Sequence, residues 1–157
     1  MLKKPSIVTR IFIGKSIGLL IGLIAFFMIP TMMPEASPLL HWGVLLWYIT
    51  FGAIIGLFGL LDWHPILKFK LQWWMRGIIL GGWLNFVLTF FAHEPMKNLL
   101  DTLFGLNSTL DTPLLFVLEG MLFGSLIDYA ATQLGGEGKD CLDDAPGKKK
   151  DKKKKKK

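Results

Sequence analysis

Four stretches of this chain run almost without polar interruption for the length of a membrane crossing: Ile11–Pro30, Trp42–Leu61, Leu71–Ala92 and Pro113–Leu134. A helix needs about 20 apolar residues to cross a hydrocarbon core of about 30 Å. A soluble helix or strand would break such runs with polar residues every second or third position. The pattern predicts an all-α, polytopic membrane protein. A four-helix transmembrane domain occupies residues 1–134, and a cytoplasmic tail expected to be disordered follows over 135–157. A cleavable leader is the rival reading of the first stretch. Its run is too long for that, and Pro30 to Pro34 reads as a turn rather than a cleavage site.

Two connections carry patterns of their own. Over 94–106, Met96, Leu99, Leu100, Leu103 and Phe104 recur at helical spacing, with Lys97, Asn98, Asp101 and Thr102 on the other face. Pro95 suits a first turn and Gly105 an end, so a short interfacial helix is expected on the outer surface. Over 62–76, Asp62 and Pro65 open a second interfacial stretch rich in Trp and Lys. Thr112 is placed to cap the fourth span, with Pro113 at its first position.

Every span also carries small residues four apart. They are Gly14, Gly18 and Gly22; Gly52 and Gly56; Gly77 and Gly81; Gly120 and Gly124. Little hydrophobic force acts between helices in lipid, so association relies on close backbone approach, which glycine permits. The expectation is a bundle packed by GxxxG-type ladders, with scope for self-association. The third and fourth spans share a longer row, Gly77, Gly81, Asn85, Thr89 against Gly120, Gly124, Asp128, Thr132. Each row lies on one helix face. Two antiparallel helices would then bring Gly81 near Asp128 and Asn85 near Gly124. Such a shared row is either a trace of an inverted repeat or one packing solution used twice.

Charge sets the orientation. Of the eighteen Lys and Arg residues, seventeen fall on one side of the four spans and only Lys97 on the other. The positive-inside rule puts that side, and both termini, in the cytoplasm, with a bacterial inner membrane as the expected location. Trp42, Trp47 and Tyr48 mark the outer interface and Trp63, Trp73 and Trp74 the inner one. The net charge of +6 belongs to nine lysines over 148–157; residues 1–147 hold nine basic and eleven acidic groups. The lysine run suits anionic lipid headgroups, and its low complexity offers no specific recognition of nucleic acid.

The candidate chemistry is sparse. Lys15, Asp62, Arg76 and Asp128 are expected to form an inner-side charge network that holds the bundle together. Glu119 lies nine residues before Asp128, about half a turn away around the helix and about 9 Å inside the outer end. Glu119, Asn85 and Asp128 together make the candidate intramembrane polar site. A proton or cation site that joins Glu119 to His41, His93 and Glu94 is one reading. A protonated Glu119 bonded to a neighbouring helix, at Thr50 or Tyr48, is the simpler one. Gly14-Lys15-Ser16 lacks the upstream glycine of a phosphate loop, and Asn107-Ser108-Thr109 lies too near the membrane to serve as a glycosylation site. The single cysteine, Cys141, permits no internal disulfide and no cysteine-rich metal site. No metal, cofactor or catalytic residue is expected, and Asp62 with His64 reads as a turn rather than a catalytic pair. The expected function is that of a small non-enzymatic membrane protein acting by assembly, as a homo-oligomer or as an accessory subunit of a membrane complex. The alternative is an oligomeric transporter or channel for a proton, cation or small solute.

Overall fold

The computed structural model describes residues 6–61, 63, 68–105, 114–138 and 141. The described residues form five helices: α1 Ile7–Met32, α2 Pro38–Phe58, α3 Trp73–Phe91, α4 His93–Phe104 and α5 Leu115–Gly135. All except α4 are long and apolar enough to cross a membrane. Large apolar side chains such as Phe12, Leu20, Phe27, Trp83, Phe90 and Leu122 point outward from them. In water such a surface would drive aggregation, whereas in hydrocarbon it costs nothing. Asp62, His64, the sequon at 107–109, the Thr112–Pro113 cap and the lysine run lie outside the described residues.

The helix boundaries follow local chemistry. Ser37 caps α2 by accepting a bond from Leu40 N at 3.4 Å, and Pro38 sits just after it, where its missing N–H is no loss. That cap starts α2 four residues ahead of the expected Trp42, and the helix stops at Phe58 rather than Leu61. The first helix also begins four residues early, at Ile7, which takes Arg10 inside it. The short helix α4 closely follows its expected bounds. It buries Met96 and Leu100 and ends at Gly105, whose φ of 84° favours glycine.

The bundle is two antiparallel hairpins. In the first, α1 and α2 touch backbone to backbone. A Cβ on Gly14 would strike the Gly52 carbonyl, one on Gly18 the Tyr48 carbonyl, and one on Gly56 would lie 2.7 Å from the Arg10 carbonyl oxygen. In the second, α3 and α5 meet at Gly77 against Gly124 and Ser125, and at Gly81 against Gly120 and Gly124. Here the register differs from expectation. Asn85 packs on Gly120 instead of Gly124, and Gly81 sits about one turn from Asp128. The reason is that Asp128 reaches Arg76, at the first turn of α3, and that ion pair slides the helices along each other by about a turn.

The hairpins join around Phe51, Ile55 and Ile127, with Ile17, Leu80, Leu84 and Phe123 packed against them. At the end that holds Ser6 and Gly135, called proximal here, Ser6 N donates to Gly135 O at 2.9 Å and Gly138 N to Gly59 O at 3.0 Å. These bonds lie at the start of the segment expected as a disordered tail. Glu137, Gly138 and the fully buried Cys141 pack on the bundle. Nearby, Trp63 and Lys70 form an isolated antiparallel bridge. The opposite, distal end carries the 33–37 turn and α4.

Candidate functional site

Polar groups inside the bundle collect in two places. At the proximal end Asp128 accepts from two guanidinium groups. Arg10 Nη2 reaches its Oδ1 at 2.5 Å and Arg76 Nε its Oδ2 at 2.9 Å. All three side chains are buried. Arg10 also donates to Gly56 O at 3.0 Å, to Thr132 Oγ1 at 3.1 Å and to Gly136 O. Arg76 donates to Leu71 O at 2.8 Å and to Glu137 Oε2 at 3.2 Å, and Lys70 meets Glu137 Oε1 at 2.7 Å. Burial alone would push the Glu137 carboxyl up, but hydrogen bonds from Lys70 and Arg76 outweigh it and hold the group below its ordinary value.

Of the expected network the structure brings together Arg76 and Asp128, and Asp62 lies outside the described residues. Lys15 is exposed on α1 and takes no part, while Arg10 fills that role. The reason is helical spacing. Arg10, Gly14, Gly18 and Gly22 fall four apart on one buried face, and Lys15 lies one residue off it. Gly59 and Gly135 supply the room, since a Cβ on either would collide with the Arg10 side chain. The clamp ties α1, α3, α5 and the tail together. Both oxygens of Asp128 accept from guanidinium groups, so its charge is already compensated.

The second place is a cavity of about 820 Å³ in the distal half, where the hairpins part. Its walls are almost wholly apolar: Ile21 and Ile24 from α1, Val44 from α2, Leu88 from α3. Met96, Leu99 and Leu103 of α4 also border it. Two polar pairs line it. Tyr48 Oη donates to Glu119 Oε1 at 2.7 Å. Trp47 Nε1 donates to Asn85 Oδ1 at 3.2 Å, and Asn85 Nδ2 donates to Phe116 O at 2.8 Å. Each pair bridges the two hairpins, because α2 supplies the donor and α3 or α5 the acceptor. A polar side chain in an apolar wall is held in one orientation by such a bond.

Of the three residues in the expected intramembrane site, the structure brings Glu119 and Asn85 to one cavity and leaves Asp128 in the proximal clamp. His41 and His93 do not line the cavity with Glu119. His41 packs edge-on against Phe26 at 6.0 Å, and His93 is exposed at the start of α4. Tyr48 is the partner that the simpler reading of Glu119 named, and Trp47, expected only as an interface marker, holds Asn85. Their helical position was a usable signal, since Tyr48 precedes Gly52 and Gly56 at four-residue spacing on the buried face of α2. Among the described residues no cluster of His, Cys, Asp or Glu is arranged to hold a metal. No protein family, curated protein or solved structure matches the chain.

Proposed function

We propose that the chain is a small, non-enzymatic integral membrane protein that binds a small solute in the distal cavity and moves it as part of an oligomer. The observation that carries this reading is the cavity itself. About 820 Å³ lies within the roughly 300–1,000 Å³ of ligand sites, and an apolar wall with a few fixed polar groups is the usual lining of such sites. Four helices are few for a pore, so movement across the membrane calls for more than one copy. The charge asymmetry supports an orientation with both termini in the cytoplasm and the cavity opening toward the outer half of a bacterial inner membrane. The backbone contacts at the glycines support GxxxG-type packing within each hairpin.

Assembly, with itself or as an accessory subunit, is the second reading, and one observation favours it. Of the four long helices, α1 is the least covered. Phe12, Leu20, Ile24 and Phe27 form an exposed stripe along it, a face suited to a partner helix. The glycines give this reading less support, because they are taken up inside the hairpins.

Native mass spectrometry on protein extracted in mild detergent tests both. A homo-oligomer that retains a small bound mass, lost on filling the cavity by Leu88→Trp, is the expected result. Co-purification of a larger protein without such a mass would favour the accessory-subunit reading. A bare monomer would sink both.

A further inference from the structure

The solute-binding reading says that something enters the cavity; the wall narrows what it is. Glu119 is the sole acidic residue that lines it, and no Lys, Arg or His lines it among the described residues. Tyr48 engages only Oε1 of Glu119, and no described residue donates to Oε2. Both oxygens of Asp128, by contrast, are paired. Nine residues separate Glu119 from Asp128, about 13 Å along α5, so the proximal guanidiniums do not neutralise it. Tyr48 bonds Glu119, and further aromatic rings share the cavity wall. Trp47, Tyr48, Phe116 and Phe123 all line the cavity, and Tyr48 and Phe123 meet edge to face at 6.0 Å. Aromatic faces attract cations, and desolvation strengthens that attraction. A carboxylate in an apolar site gains most from a partner of opposite charge. An anionic lipid would meet repulsion there, and a neutral one would leave Oε2 without a charge partner.

We propose that the cavity binds a lipophilic cation, a bulky apolar body that carries one alkylated or delocalised positive charge. The charge sits at Glu119, the rings of Trp47, Phe116 and Phe123 share the cavity wall, and the body lies against Ile21, Val44 and Leu88. This rests on the solute-binding reading and adds the chemical class of the solute.

The test uses the full chain in nanodiscs of neutral lipid and two probes of similar shape, tetraphenylphosphonium and the uncharged triphenylphosphine oxide. Binding is read by equilibrium dialysis and by the tryptophan fluorescence of the protein. The expected result is saturable binding of tetraphenylphosphonium, at least tenfold tighter than the oxide. Glu119→Gln should weaken the cation at least tenfold and leave the oxide within about twofold, and Glu119→Asp should restore part of the loss. The comparison of the two probes on the unmodified protein needs no variant, so it stands even if Glu119→Gln does not fold. Equal affinity for the two probes, or a Glu119→Gln variant that folds and binds the cation unchanged, would overturn the cation proposal while the cavity still binds solutes. Failure of both probes to bind saturably would overturn the solute-binding reading as well.

Discussion

Replacing Asp128 by Asn should be among the most damaging single changes outside the backbone contacts. The carboxylate is 1 % exposed, and it is the acceptor that Arg10 and Arg76 share, at 2.5 and 2.9 Å. Arg10 is 0 % exposed, so its charge has no route to water. The substituted amide would keep one acceptor but turn a donor toward a guanidinium, and two buried cations would face each other without an anion between them. Breaking a buried ion pair by removing one partner costs about 3–5 kcal/mol. That amounts to roughly two to four orders of magnitude in the folded-to-unfolded ratio, at about 1.4 kcal/mol per tenfold. Reversible unfolding in mixed micelles, with SDS as denaturant, measures it. Lys15→Gln is the control, because Lys15 is exposed and outside the clamp, and it should stay within about 0.5 kcal/mol of the parent. Exchanging the whole triad, Arg10→Met with Arg76→Met and Asp128→Leu, should recover most of the loss, since packed apolar groups replace a buried ionic set at little or no cost. A loss under about 1 kcal/mol for Asp128→Asn, or an equal loss for Lys15→Gln, would refute the reasoning.

Three further outcomes are expected. Gly52→Ala should destabilise by at least about 1–3 kcal/mol, because its Cβ would strike the Gly14 carbonyl, whereas Gly43→Ala, with open space at its Cβ, should be neutral or slightly stabilising in the same unfolding assay. Tyr48→Phe should cost about 1–3 kcal/mol by leaving Glu119 Oε1 unbonded, while Tyr129→Phe, at an exposed ring packed on Trp73, should cost almost nothing. The Glu137 anchor should depend on pH. Its carboxyl lies below the ordinary value in the folded chain, so its contribution is present above about pH 4.3 and is lost as pH falls through the lowered folded value. Reaction of the buried Cys141 with dithiodipyridine, a disulfide that still exchanges in acid, should accelerate over that interval, and an acceleration confined to neutral pH would contradict the assignment.

The spans, the amphipathic helix over 93–104 and the inward glycine faces were legible along the chain because each depends on a local quantity. Apolar run length is judged against the bilayer, and helical spacing alone decides which residues share a face. Pairing between elements was legible only in places, as for Tyr48 with Glu119 and Arg76 with Asp128. Lys15 and Arg10 are both basic residues near one end of one span, and only the start of α1 at Ile7 puts Arg10 on the glycine face. The row Arg10, Gly14, Gly18, Gly22 did carry that information, hidden by the assumption that the helix begins where the apolar run does. The register of α3 on α5 was likewise undetermined, since glycines every four residues fit equally well one turn apart, and the Arg76–Asp128 pair breaks the tie. Glu119 could be recognised as a carboxyl at membrane depth from its position alone. Whether it faced lipid, a partner side chain or an open space depended on how far two hairpins part at their distal end. That separation is a property of packed volumes summed over all four helices, and tertiary structure alone decides it.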